Sequence, residues 1–290
     1  MAENSKIQWT HHTFNPWRGC TKVSGGCKFC YADKLSKRNP KTLGIWGPNG
    51  TRVIAAESAW REVYSWNRKA KEAGERHRVF CASLADVGEG PETMPDGSWI
   101  DVQAARTRLS VLIMECEHLQ FLLLTKRPEN MTKYFDAQVL ERSWVGTSVE
   151  NQAAADERIP RLLSIPAAVR FLSCEPLLGD VDLRYVAIEP PTIALNALTG
   201  EIWNVAYGGE QPFGKGPVHW VICGCESGAQ RRPMQSDWAR SIRDQCKSAG
   251  VPFFMKQMEC GLPGRVVGEL EDFPSDLRVR EFPLSPGGER

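Results

Sequence analysis

Leu119-Gln120-Phe121-Leu122-Leu123-Leu124-Thr125-Lys126-Arg127-Pro128 opens as a nearly unbroken apolar run and closes on two cations and a proline. A run this short and this apolar predicts a strand covered on both faces, because a half-exposed strand would alternate. The same apolar-to-polar shape returns in Arg78 to Asp86, Trp144 to Asn151, Val169 to Pro176 and Trp220 to Gly228. Helical patterns lie between several of these runs. Asp101 to Leu119 puts Val102, Ala105, Leu109, Leu112, Ile113 and Cys116 on one stripe. Thr51 to Ala73 spaces Val53, Ile54, Ala56, Ala59, Trp60, Val63 and Trp66 by threes and fours, with Gly74 to end it. Trp60, Tyr64 and Trp66 read as packing residues of that helix. Gln235 to Ala249 is a further helix, with Ser236 as its expected cap and Gly250 as its stop. A short helix is expected to begin over Ala32 to Leu35, followed by an exposed loop from Asn39 to Gly50.

With strands at Thr13 to Arg18 and Val251 to Lys256, the count comes to about seven. Strand, polar end and helix in repetition call for an α/β fold with a parallel sheet. Closed partly or wholly into a barrel, such a sheet gathers its polar strand ends at one mouth. A doubly wound open sheet fits the pattern too, although no Gly-rich dinucleotide fingerprint follows the first strand. Two segments stand outside the repeat. Residues 184–216 read as an insertion carrying a hairpin, Thr192 to Leu195 against Ile202 to Ala206. Residues 261–290 hold Pro263, Pro274, Pro283 and Pro286 and read as an irregular C-terminal tail, which leaves 1–260 as the main domain.

Composition narrows the class. A chain of 290 residues with 42% hydrophobic and 24% charged residues can bury a sizeable core. Its apolar runs are too short for a membrane-spanning helix, so no membrane partner is expected. Met1 to Lys6 lacks a signal-peptide pattern, and ten cysteines without a paired framework suit a reducing compartment, so a cytoplasmic location is expected. A net charge of +1 argues against a protein that coats nucleic acid over its whole surface. Local basic groups exist at Lys34, Lys37, Arg38 and Lys41, at Lys126-Arg127 and at Arg231-Arg232.

The chemistry is concentrated in Gly19-Cys20-Thr21-Lys22-Val23-Ser24-Gly25-Gly26-Cys27-Lys28-Phe29-Cys30-Tyr31. Three thiols fall within eleven residues, and Gly25-Gly26 lets the intervening loop fold back. Such spacing reads as a metal or cluster site at Cys20, Cys27 and Cys30. An iron-sulfur cube usually takes four thiolates, so three leave one iron open to an outside ligand. A structural zinc is the alternative, with His11 or His12 as the fourth ligand. Three plain reduced thiols are the bland reading.

The Cys27-Lys28-Phe29-Cys30 end, with an aromatic residue before the last cysteine, resembles the cluster loop of radical S-adenosylmethionine enzymes. That superfamily separates its first two cysteines by three residues where this chain has six. The wider stretch from Trp9 to Cys20 more closely resembles a phage- and prophage-associated family of radical S-adenosylmethionine-like proteins without a settled reaction, over about Trp9 to Glu259. The resemblance implies a partial (β/α)6 barrel of the radical-SAM type, a 4Fe-4S cluster held by Cys20, Cys27 and Cys30, and S-adenosylmethionine on the open iron. It implies a 5′-deoxyadenosyl radical that abstracts hydrogen from a substrate, for which a modified nucleobase or nucleic acid is the candidate, and a reductant such as flavodoxin or ferredoxin. Phe29 would then exclude water from the cluster. The strand-end residues Ser83, Asp86, Lys126, Ser148, Glu150, Glu175, Glu226 and Ser227 would contact the cofactor. Candidate catalytic groups are Cys225, beside Gly224 and Glu226, and His12. Cys81, Cys174 and Cys223 lie within apolar runs and are expected to be buried. A non-catalytic zinc module that binds nucleic acid is the competing function, and a degenerate or electron-transfer member of the radical fold is a third.

Overall fold

A computed structural model describes residues 3, 5–94, 97–189, 193–204, 209–212, 216–259 and 265–284 of the chain. The chain divides into two compact units, Met1–Val145 and Gly146–Arg290. In the first, the order is β1 (His12–Thr13), β2 (Trp17–Arg18), α1 (Tyr31–Arg38), α2 (Pro40–Leu43), β3 (Val53–Ile54), α3 (Glu57–Ala73), β4 (His77–Cys81), α4 (Trp99–Glu115), β5 (Leu119–Thr125), α5 (Met131–Tyr134) and α6 (Ala137–Glu141). β6 (Trp144–Ser148) crosses the division. The second continues with α7 (Gln152–Leu163), β7 (Val169–Cys174), β8 (Val186–Glu189), β9 (Ile193–Leu195), β10 (Glu201–Asn204), β11 (Gly209–Pro212), β12 (Trp220–Gly224), α8 (Ser236–Ala249), β13 (Phe253–Glu259) and β14 (Val266–Val267).

An eight-stranded, mostly parallel sheet runs in the order β1-β4-β5-β6-β7-β12-β13-β14. In the first unit β4 pairs in parallel with β1, His12 against Val79, and with β5, Phe80 against Leu122. In the second, β12 lies parallel to β7 and β13, with Ile222 against Ser173 and Phe254, and β14 closes that side antiparallel. All five apolar runs that predicted covered strands are strands. In β6, β7 and β12 every residue is buried, as a strand covered on both faces requires.

The helix expected from Thr51 begins at Glu57, and Val53 and Ile54 of its expected stripe form β3 instead. α3 buries Ala59, Trp60, Val63, Trp66 and Ala70, and stops at Gly74, whose left-handed backbone returns its N–H to Ala70 and Lys71 carbonyls. Tyr64 differs from expectation. It is 43% exposed and its hydroxyl donates to Glu115 on α4, because it falls between the buried turns. α8 is capped by Gln235 rather than Ser236, which already occupies the first helical position. α7 is capped by Asn151, whose side chain accepts from Ala154 N at 3.0 Å.

The strand expected over 13–18 is two. β1 joins the main sheet, whereas β2 pairs antiparallel with β3, Trp17 against Ile54. Between them the Asn15 side chain accepts from Leu84 N at 2.7 Å, which fixes the turn between the two strands. The loop expected over 39–50 contains α2. The insertion holds a four-stranded antiparallel sheet in the order β11-β10-β9-β8, and its β9–β10 pairing puts Ile202 against Leu195. Thr192 and residues 205–206 of the expected hairpin lie outside the described residues, as do 261–264 and 285–290 of the tail. The described tail carries β14 and a bridge between Phe254 and Arg280, so it is more ordered than its prolines suggest. Among the described residues nine cysteines are free thiols, and Cys81, Cys174 and Cys223 are buried. No described helix is long and apolar enough to cross a membrane.

Candidate functional site

The cysteine loop leaves β2 through Gly19, whose φ of 105° is open to glycine but strained for other residues. A Cβ there would also sit 2.6 Å from the Thr51 carbonyl oxygen, so the backbone passes close to the segment entering β3. Cys20 follows and is buried. Residues Gly25–Cys27 form one tight turn, and Cys30 stands immediately before the first residue of α1.

Each of the three sulfurs faces donors. The Arg127 guanidinium donates to Cys20 Sγ at 4.0 Å, and the Ser24 hydroxyl lies 3.9 Å from Cys27 Sγ. The backbone N–H groups of Asp33 and Ala32, in the first turn of α1, point at Cys30. Burial pushes the Cys20 thiol well above its ordinary value, with Glu89 and Asp86 adding and Arg127 opposing. Burial also raises Cys30, against the α1 N–H groups and the Lys126 charge. A metal that binds here must therefore displace protons, and the donors then hold the thiolates it leaves. By its chemistry the donor set suits a thiolate-ligated group. Among the described residues, the three cysteines included, no group of three His, Cys, Asp or Glu is placed closely enough to hold a metal ion in this structure.

Under the loop lies a buried ionic network. Arg52 donates from Nε to Glu89 Oε2 at 2.9 Å and from a terminal nitrogen to Oε1 at 2.6 Å, and both side chains are fully buried. Thr21, next to Cys20, is held at three atoms. Its N–H donates to Glu89 at 2.8 Å, its hydroxyl accepts from Arg52 at 2.9 Å, and its carbonyl accepts from Arg127 at 2.7 Å. Arg127 reaches Asp86 at 2.8 Å as well, and Arg106 donates to the Glu89 carbonyl at 2.7 Å. Burial alone would raise the Asp86 carboxyl. The Arg127 guanidinium and the donors Thr125, Gly88 N and Lys126 N outweigh burial and hold it below the usual carboxylate range.

The candidates of the first unit separate accordingly. Asp86 accepts from Gly88 N, the Thr125 hydroxyl, Lys126 N and Arg127, which fills the four lone-pair sites of a carboxylate. It organises the site and has no oxygen left for a ribose. Ser83 trades hydrogen bonds with the Asn15 side chain, and its carbonyl accepts from the Tyr31 hydroxyl at 2.7 Å. Phe29 has the Lys28 and Lys34 ammoniums 5.2 and 5.6 Å from its ring centre. The Lys126 charge acts on Cys30. His12 is drawn elsewhere: it stacks on Trp66 at 4.4 Å and shares a hydrogen bond with His77 at 3.1 Å. His11 accepts from Arg78 N at 2.8 Å. Burial lowers both imidazoles to about 4. Both histidines thus take hydrogen-bond partners on β4.

In the second unit the nominated carboxylates also sit at strand ends, and each has a cation. Glu150 pairs with Arg158 at 2.7 Å, Glu175 with Lys256, and Glu226 with Arg232 through two contacts of 2.9 and 2.5 Å. Ser227 accepts from Gln257 at 2.8 Å, and the Ser148 carbonyl accepts from Arg158 at 2.8 Å. Cys225 is buried, and burial pushes its thiol up to about 12. It therefore keeps its S–H near neutral pH.

Residues 4–263 match a family described as "Protein of unknown function (DUF5131)". The chain belongs to that family. No curated protein matches it by sequence. Among solved structures, a spore photoproduct lyase double mutant with bound AdoMet and dinucleoside spore photoproduct is similar at a TM-score of 0.40 and 13% identity, over 61% of this chain and 48% of that one. This chain thus spans about half the length of that neighbour. A likeness of that strength leaves the function to be argued from the residues themselves.

Several residues of the site in this DUF5131 member escaped sequence reasoning. Glu89, Arg52 and Thr21 form the centre of the ionic network, and Arg158, Arg232 and Lys256 neutralise the second unit's carboxylates. In sequence Arg232 shows only as a basic pair with Arg231. Glu89 carried one signal: a carboxylate in Val87-Gly88-Glu89-Gly90, directly after a strand end that already held Asp86. Nothing local points to Arg52, which lies 37 residues away from its partner.

Proposed function

We propose that this protein is a radical S-adenosylmethionine enzyme in which Cys20, Cys27 and Cys30 hold a 4Fe-4S cluster, built on a partial (β/α)6 barrel over 1–260 with 184–216 inserted. The observation that carries the reading is the clamp on Thr21. Three atoms of the residue next to Cys20 are fixed by the buried Arg52, Glu89 and Arg127, an investment of charge that a plain surface loop does not need. When bound, the cluster and S-adenosylmethionine together supply a 5′-deoxyadenosyl radical for hydrogen abstraction.

The chain's own residues do the remaining work. Arg127 and the α1 N–H groups stabilise thiolate at Cys20 and Cys30. Phe29 covers the sulfurs from water, and Lys126 offers an ammonium to a carboxylate. The Ser83 hydroxyl is held ready by Asn15. In the second unit the hydroxyls of Ser148 and Ser227 bind a polar ligand, while Glu150, Glu175 and Glu226 keep their strand ends in place through their cations. A reductant such as flavodoxin or ferredoxin completes the system.

The test is anaerobic reconstitution with iron and sulfide, reduction by dithionite, and chromatography for 5′-deoxyadenosine after S-adenosylmethionine is added. The proposal expects product from the native chain and none from Cys27→Ala or Cys30→Ala. A reconstituted protein that binds iron and forms no 5′-deoxyadenosine would falsify it.

A further inference from the structure

Solvent sorts the thiols of this chain. Of the nine cysteines among the described residues seven are buried, Cys20 with them, and Cys27 and Cys30 alone reach the surface in part. Thiol–disulfide exchange needs access to the sulfur, so a dissolved oxidant meets these two first.

The backbone makes the same two neighbours. The Cys27 N–H donates to the Ser24 carbonyl at 3.0 Å, the Lys28 N–H to Gly25 at 3.2 Å and the Cys30 N–H to Cys27 at 3.4 Å. The last of these closes a four-residue turn, which holds the Cα atoms at its two ends within about 7 Å. A disulfide spans Cα separations of about 4.4–6.8 Å, so this pair closes with little backbone movement. The loop ahead of it has room to follow, because a Cβ on Gly25 would meet nothing within 4 Å. The thiols are also near enough that charge on Cys27 acts on Cys30. Cys20 is kept out of such an exchange. It is buried, its S–H donates to the Thr21 carbonyl at 3.4 Å, and the Arg127 guanidinium lies 4.0 Å from its sulfur.

We propose that Cys27 and Cys30 form a reversible disulfide that acts as a redox lock on the cysteine site. Closed, the lock withholds two of the three sulfurs from a metal, because the thiolate is the ligand; open, it offers them. The oxidant is a small-molecule disulfide such as oxidised glutathione. One thiolate of the pair attacks it, forms a mixed disulfide and releases one small thiolate. The second then attacks the protein sulfur of the mixed disulfide and releases the other. Two protein S–H bonds are lost and one S–S bond is gained, two electrons pass to the small disulfide, and both protons end on the two small thiols released. The consequence for metal loading rests on the function proposed above. The disulfide itself does not, and the two are read by different measurements.

The experiment equilibrates the metal-free full chain anaerobically in buffers of reduced and oxidised glutathione, traps open thiols with iodoacetamide and maps tryptic peptides by mass spectrometry. Cleavage after Lys22, Lys28 and Lys34 puts Cys27 on the peptide Val23–Lys28 and Cys30 on Phe29–Lys34, so the disulfide appears as two linked peptides. The expected result is that linked pair. At fixed oxidised glutathione its linked-to-open ratio falls about a hundredfold for each tenfold rise in reduced glutathione, because two thiols are released per disulfide. Ferrous iron and sulfide added afterwards are taken up in proportion to the unlinked fraction, and dithiothreitol restores uptake. A ratio that falls only about tenfold marks a mixed disulfide and overturns the proposal. So does a bond from either thiol to Cys20, or a linked chain that loads iron as fully as the reduced one. Iron taken up by the reduced chain with no linked pair in the oxidised one overturns this inference alone. A linked pair in a chain that binds no iron when reduced supports the disulfide and overturns the enzymatic reading.

Discussion

Replacing Arg52→Met removes the cation from a pair in which neither side chain is reached by solvent. Glu89 is then left charged and buried, with Thr21 N at 2.8 Å and the Arg127 guanidinium at 3.9 Å as its nearest remaining partners. Breaking one side of a buried pair costs about 3–5 kcal/mol, because the surviving charge keeps its desolvation penalty and loses its compensation. At about 2–4 °C per kcal/mol for a chain of this size class, the melting temperature should fall by roughly 6–20 °C. Adding Glu89→Gln removes the stranded charge and keeps an acceptor for Thr21 N, so the double variant should recover at least about 1 kcal/mol relative to Arg52→Met. Urea denaturation followed by tryptophan fluorescence measures both. A second readout is iron loading, which should drop in Arg52→Met because Thr21 positions Cys20. A single variant that loses less than about 1 kcal/mol, or a double variant that loses the sum of the two singles, refutes the clamp.

Three further outcomes follow from the geometry. Asn15→Ala leaves Leu84 N without its acceptor and releases the Ser83 hydroxyl, and should cost about 1–3 kcal/mol in the same denaturation assay. Gly146→Ala places a Cβ 2.4 Å from the Phe171 ring, so about 1–3 kcal/mol of overpacking is expected; a variant as stable as the native chain would show that the β6 backbone moves freely. His12, 3% exposed, is lowered from 6.5 to about 4 chiefly by burial, with His77 and His11 adding. Its contribution is fully present above pH 6.5 and is lost as pH falls toward about 4, because the unfolded chain takes up the proton first. The loss should reach about 3 kcal/mol at most, and His12→Phe, which keeps the stack on Trp66, should flatten stability over that interval.

The strands of the main sheet were readable because burial on both faces leaves a run such as Leu119 to Thr125 almost wholly apolar, a mark few other elements make. The two-residue pairing of Trp17 with Ile54 leaves no period to read, so sequence does not separate β2 from β1. Spacing alone led to the expectation of a site at Cys20, Cys27 and Cys30. The ionic network beside Cys20 was not legible, since Arg52 and Glu89 are brought together only by tertiary folding. The same reason explains Asp86, Glu150, Glu175 and Glu226. Sequence placed these carboxylates correctly at strand ends, but a carboxylate offered to a ligand and one neutralised by a distant Arg or Lys look alike until the partner is seen. The stack of His12 on Trp66 and its bond to His77 are likewise contacts across the fold that no local pattern shows.

The central claim is that Cys20, Cys27 and Cys30 together hold one iron-sulfur cube with an open iron. Iron and sulfide analysis of the anaerobically reconstituted native chain, with electron paramagnetic resonance of the reduced protein before and after addition of S-adenosylmethionine, tests it most directly. The account predicts about four irons per chain, a loss of the cluster signal on replacing any one of the three cysteines, and a shift of the native signal on adding the cofactor. A single zinc, or a cluster signal that survives loss of all three thiols, contradicts it.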